Sequence, residues 1–255
     1  MLKNTMITGL VLTGLLTGCA DKSGFEVDEQ YLTIGSVDVT PVSEKEFSSH
    51  LQSQAVGSVN CSSLNKLSMS QNFASLSDLQ DVKNPLDPIN EFELKLDQVI
   101  NIGKKIWAIV EKGRPVVNIT ADVATAMPSG AGCWTDLQGW SMPQSQSYVA
   151  SYKNLYGVEV VRHVYRVSYL AGGSVNGAGK YIGYATVLPV EVNVAWGYTF
   201  NSEAKVPTVF NMGTSANPKA GMQVNVSWKV NTVLKSMQAT DSYAITGAGE
   251  LKKMK

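Results

Sequence analysis

Two periodicities divide the chain. From Asp87-Pro88, apolar residues recur at helical spacing: Ile89, Phe92, Leu96, Val99, Ile106 and Val110, with Ile102 and Trp107 widening the face. Asp87 suits the cap because its carboxylate accepts an orphan backbone N–H. Pro88 suits the first helical position, where no N–H partner is lost. Lys112-Gly113-Arg114-Pro115 reads as the stop, with Gly113 supplying a left-handed cap. The pattern predicts one long amphipathic helix over 87–113. Gly103 in its middle costs about 1 kcal/mol relative to Ala and marks the close approach of a strand.

Beyond Pro115 the period falls to two. Val117, Ile119, Ala121 and Val123 alternate with Asn118, Thr120 and Asp122. Val161, Tyr165, Val167 and Tyr169 share one face of a second run, with Arg162, Arg166 and Ser168 on the other. Gly172 to Gly179 reads as a flexible connection into Lys180–Tyr184, and Pro189 as a break before Val190, Val192, Val194, Trp196 and Tyr198. The clearest strand runs from Met222 to Leu234: Met222, Val224, Val226, Trp228 and Val230 face one way, Gln223, Asn225, Ser227 and Lys229 the other. One polar face per strand indicates antiparallel sheets, and no crossover helices are available for a parallel one. The expected fold is mainly β: an antiparallel β-sandwich, or a strongly curved sheet, preceded by one long amphipathic helix.

Charge narrows the functions. Lys plus Arg and Asp plus Glu both number 21, and charged residues make up only 16% of the chain. The one basic run is Lys252-Lys253-Met254-Lys255, so nucleic-acid binding is not expected.

The first residues carry a location. Lys3 is followed by a short apolar stretch from Met6 to Leu15, too short to span a bilayer, and then by Leu16-Thr17-Gly18-Cys19. This tetrad resembles the lipobox of bacterial lipoproteins. The resemblance implies cleavage before Cys19, a diacylglyceryl group on its sulfur, and attachment to the cell envelope without a transmembrane helix. Two or more acyl chains suffice for stable anchoring. Ala20, rather than Asp, in the next position implies the outer membrane by the enterobacterial sorting rule. The expected organisation is therefore a signal peptide over 1–18, a lipid-anchored tether over 19–48, and one domain over 49–255. That domain would comprise an irregular arm (49–86), the helix (87–113) and an antiparallel β region (115–249). Tyr31–Ile34 and Val37–Val39 are strand-like, so part of the tether is expected to add to a sheet.

With Cys19 lipidated, Cys61 and Cys133 remain as an even pair in an oxidising compartment. They are expected to form a disulfide stapling the arm to the β region, the alternative being two separate buried thiols.

Catalytic chemistry finds little support. His50 and His163 have no zinc-ligand spacing, no G-x-S-x-G elbow is present, and Gly172–Gly179 lacks a phosphate-loop ending. Asp122, Asp136, Glu159 and Glu191 read as ordinary outward residues. No cofactor, metal or catalytic residue is expected. The one candidate binding patch is aromatic: Trp134, Trp140, Tyr148 and Tyr152, near Gln138 and several glycines, would suit a sugar ring or a peptide. The competing reading has the two tryptophans capping an open end of the sandwich. The function expected is a lipid-anchored, non-catalytic β domain that binds or supports another envelope protein or a glycan. Two alternatives stay open: a carrier of a lipid or other apolar ligand in a helix-and-sheet cavity, and an envelope-degrading enzyme.

Overall fold

The structure is a computed structural model and describes residues 28–42, 94–116 and 122–254. Its strands are β1 (Ile34–Val42), β2 (Lys95–Ile100), β3 (Ile106–Glu111), β4 (Arg114–Pro115), β5 (Ala124–Ser129), β6 (Gln144–Asn154), β7 (Glu159–Val175), β8 (Ala178–Val194), β9 (Thr199–Asn211), β10 (Ala220–Asn231), β11 (Ser236–Thr246) and β12 (Leu251–Lys253). They form two curled six-stranded antiparallel sheets, ordered β1-β6-β7-β8-β5-β2 and β12-β11-β10-β9-β3-β4. The expected β architecture is present, and β1 adds part of the stretch read as tether to the first sheet. The signal peptide with Cys19 and the arm with His50 and Cys61 lie outside the described residues.

The long helix is a misreading. Its described part, from Leu94 onward, is β2, a corner, and the β3–β4 hairpin, and no helix of any length appears among the described residues beyond a single 3-10 turn at Trp134–Asp136. Ile89 and Phe92 lie outside them. The helical spacing of Leu96, Val99, Ile106 and Val110 is a coincidence of two short strands that belong to different sheets. Asn101 makes the corner: its Oδ1 accepts the N–H of Gly103 and that of Thr125, both at 2.9 Å. After the corner, Trp107 and Ile109 turn inward while Ile106 stays exposed, a period of two. A bulge between Ala108 and Val110 then brings Val110 inward as well.

Two details of the helix reading keep their residues and change their meaning. Gly113 is left-handed, but with Lys112 it forms the tip of a hairpin, at φ 76° and 49°. Positive φ at both central residues is what a type I′ turn requires, so a helix cap and a hairpin tip select the same glycine. Gly103 does mark a close approach: a Cβ there would lie 2.3 Å from the Val123 carbonyl oxygen, which accepts the Lys104 N–H at 2.8 Å.

Gly172–Gly179 is not a flexible connection. It continues β7 into β8 through an Asn176-Gly177 tip, again with positive φ at both residues. Nor does Pro189 break its strand. It lies opposite Tyr165 at a register shift, so the bulge absorbs the missing donor.

Alternation decides what fills the space between the sheets. Tyr148 and Tyr152 on β6 and His163 and Tyr165 on β7 face Phe200 on β9, Trp228 on β10 and Tyr243 on β11. Tyr152 meets Trp228 edge-on at 4.6 Å between ring centroids, and Tyr148 meets Tyr243 at 4.7 Å. The hydroxyls of Tyr165 and Tyr243 pair at 2.6 Å across the two sheets. Gly103→Ala should cost about 1–3 kcal/mol, because its methyl group would displace backbone rather than a movable side chain. A denaturant melt measures this, and an unchanged midpoint would contradict the close contact.

Candidate functional site

The four aromatics of the sequence patch are not brought together. Tyr148 and Tyr152 are core residues with no face for a ligand. Trp134 and Trp140 are half-buried at the end of the first sheet where the β7–β8 hairpin turns. The loop that carries them is well tied. Asp136 Oδ2 accepts the N–H groups of Gly132 (2.8 Å) and Cys133 (2.9 Å), and Trp140 Nε1 donates to the Trp134 carbonyl at 3.0 Å. The Trp140 ring lies on Gly173 and Gly183, where a Cβ would come within 2.3 and 3.0 Å of it. Such packing is that of a cap over the hairpin.

Cys133 is the only cysteine among the described residues, so no disulfide has both of its halves there. Its sulfur is nonetheless disulfide-bonded. The expected partner, Cys61, lies outside the described residues, so these show no complete disulfide and do not show the Cys61–Cys133 staple.

His163 is a core residue. It is 1% exposed, its ring lies 5.1 Å from both Tyr165 and Phe200, and its Nε2 has no hydrogen-bond partner. Burial pulls its pKa down to about 3, which keeps the imidazole neutral. Burial likewise pushes the hydroxyls of Tyr152, Tyr165 and Tyr243 well above the ordinary tyrosine value.

The carboxylates fall into structural pairs. Glu159 and Glu191 both approach Arg162 at 3.7 Å on the outer face of the first sheet. Asp122, read from sequence as outward, is buried and meets Lys104 Nζ at 2.6 Å. Alternation placed it opposite the core, but Lys104 meets its carboxylate and Thr186 Oγ1 donates to its carbonyl. No group of three or more His, Cys, Asp or Glu converges among the described residues. No described helix is long and apolar enough to cross a membrane.

A recess lies on the outer face of the second sheet, on the polar side of the Met222–Leu234 alternation. It is a cleft of about 540 Å³. Two cross-strand rows floor it: Asn201, Lys229 and Gln238, and beside them Glu203, Ser227 and Thr240. Ser227 and Thr240 share a hydroxyl–hydroxyl bond of 2.9 Å, and Asn201 Oδ1 accepts the Lys112 N–H at 2.9 Å. Three paired strands hold these donors and acceptors at fixed spacing. The signal was present in sequence as the polar half of the Met222–Leu234 alternation. Only the lateral pairing of β9, β10 and β11 turns three separate rows into one surface.

No family model, characterised protein or solved structure matches this chain.

Two measurements follow from these placements. Trp140→Ala should lower stability by about 2 kcal/mol or more through lost packing, whereas a purely recognition role would leave melts unchanged. His163 depresses stability in acid. Below its unfolded value near 6.5 the unfolded chain takes up a proton that the folded chain refuses, so stability present above that pH is lost as pH falls towards 3. The slope should be about 1.4 kcal/mol per pH unit within that window. As pH falls through this window the parent should lose stability relative to His163→Phe; parallel curves would contradict the buried neutral imidazole.

Proposed function

We propose that this chain is a lipid-anchored protein of the bacterial envelope whose β domain is a non-catalytic binding or supporting module. The observation that carries the binding part is the polar grid of Asn201, Glu203, Ser227, Lys229, Gln238 and Thr240 in the outer cleft. It offers neutral hydrogen-bonding groups with one charge of each sign on rigid strands, which suits a polar surface or glycan more than a reacting bond. The anchor rests on Leu16-Thr17-Gly18-Cys19. Tethering supplies the mechanism: lipid at Cys19 confines the domain to one membrane and raises its effective concentration at a partner there. The mainly-β domain supports this reading, and so do His163, Asp122, Glu159 and Glu191, which are taken up in packing and ion pairs. A carrier built on a helix-and-sheet cavity loses its helix, and the aromatic rings occupy the space between the sheets.

The reading is tested in intact envelopes with a photo-crosslinking residue at Thr240 in the full chain. One discrete partner or glycan species should be captured, and Ser227→Phe, which fills the cleft, should reduce capture about tenfold or more without shifting the melt. Crosslinks that are diffuse, or indifferent to Ser227→Phe, would remove the cleft from the function. Mass spectrometry of the mature N-terminal peptide tests the anchor, and an unmodified Cys19 would remove it.

A further inference from the structure

Tight turns ordinarily end in Gly, Asn, Asp, Ser or Pro, because these residues meet the turn geometry and face water. At one end of this sandwich three turns carry exposed apolar residues, two of them beside a left-handed glycine, Gly157 or Gly197. The β6–β7 turn presents Leu155, Tyr156 and Val158, the β8–β9 turn presents Trp196, and the β10–β11 turn presents Val233 and Leu234. All six are exposed, Trp196 to 74% and Val233 to 79%. At the opposite end Asn176-Gly177, Thr214 to Asn217 and Gly247 to Glu250 are conventional tips, with Met142, Phe210 and Met212 exposed beside them but drawn into no shared lacing.

These apolar tips are held outward by built turns. Asn154 Oδ1 accepts the N–H groups of both Tyr156 and Val158 at 3.0 Å. Thr232 Oγ1 accepts those of Leu234 (3.3 Å) and Lys235 (3.0 Å), and the Thr232 N–H donates to the Lys235 carbonyl at 2.8 Å. Residues 28–33 then lace the three turns into one surface. The Leu155 N–H donates to the carbonyls of Gln30 and Thr33, Tyr31 Oη donates to the Trp196 carbonyl at 3.3 Å, and Glu29 pairs with Lys235 at 3.4 Å.

The same end receives the chain from its N-terminal side. Asp28 is nine positions beyond Cys19, so even a fully extended connection spans at most about 32 Å. A lipidated Cys19 therefore holds this end, rather than the opposite one, close to the bilayer. Trp and Tyr favour the headgroup level, where the ring is sheltered and its polar edge stays wet. Lys112 and Arg114 are exposed on the β3–β4 hairpin at this end, as is Glu111 beside them, and Asp28 and Glu29 are exposed here too.

We propose that this end is a membrane-contact surface: the Leu155–Val158, Trp196 and Val233–Leu234 tips seat in the lipid interface beside the anchor. They would fix the orientation of the domain, with the β7–β8 hairpin pointing away from the bilayer. The proposal rests on the anchored reading, but its contact is separately measurable.

The test uses the whole mature chain from position 19 with Cys19→Ser, which removes the lipid, and vesicles of phosphatidylethanolamine and phosphatidylglycerol. It should co-sediment with them weakly, and lipids brominated near the headgroup should quench its tryptophan emission. Leu155→Ser combined with Trp196→Ser should lower the partition coefficient about tenfold or more. Circular dichroism and the melt are read alongside, so that lost binding is scored only in a variant that remains folded. Absence of parent binding, or binding indifferent to these changes, would overturn the proposal. So would concentration-dependent self-association that the same changes abolish, since a second copy would then be the occupant. The anchor is decided apart from this by the mass of the native N-terminal peptide. A lipidated Cys19 with inert tips sinks this proposal alone, and an unmodified Cys19 with vesicle-binding tips sinks only the anchor.

Discussion

Between the two sheets, the hydroxyls of Tyr165 and Tyr243 meet at 2.6 Å, one from the middle of β7 and one from β11. Each is buried among rings, where a hydroxyl without a partner would cost about 1–3 kcal/mol. The pair is thus a constraint on how the sheets stack. Sliding one sheet by a single residue pair would strand both oxygens, whereas aliphatic packing alone would tolerate many offsets. The surrounding rings are set by this registration: Tyr148 against Tyr243, Tyr152 against Trp228 and Phe200, His163 between Tyr165 and Phe200.

A core fixed in this way leaves the polar chemistry of the chain on its outside. His163, the described residue best suited by type to acid–base work, is neutral and enclosed. Glu159 and Glu191 share Arg162, and Asp122 is taken up by Lys104. Among the described residues two surfaces stand out: the hydrogen-bonding grid on the second sheet, and the apolar turn tips at the end nearest Asp28. A mainly-β platform with these two surfaces is consistent with a structural or binding role.

Strand faces were legible because alternation is a local property. Met222, Val224, Val226, Trp228 and Val230 turn inward as one row, as do Val161, Tyr165, Val167 and Tyr169. The left-handed demand at Gly113 and the crowding at Gly103 were also legible, since both follow from having no Cβ. The secondary structure around them was not. Between Leu96 and Val110, two short strands separated by a corner mimic a 3.6 repeat, and the choice rests with distant partners: Val123 for Lys104, Thr125 for Asn101, β9 for β3.

The candidate sites divide in the same way. Sequence alone determined which residue types were present and which faces were polar, and it carries the resemblance of Leu16-Thr17-Gly18-Cys19 to a lipobox. It could not tell that Tyr148 and Tyr152 are core while Trp140 lies on Gly173, because a ring in a turn-rich stretch reads alike whether it stacks on a ligand or on a neighbouring strand. The tertiary structure decided that, and it decided two groupings that no local window contains. The cleft needs β9, β10 and β11 side by side, and the apolar end needs turns at 155–158, 195–198 and 232–235 laced by residues 28–33. Each turn carries too little apolar surface to signal anything by itself. Antiparallel pairing returns the chain to the same end every second strand, and that return adds the three into one surface.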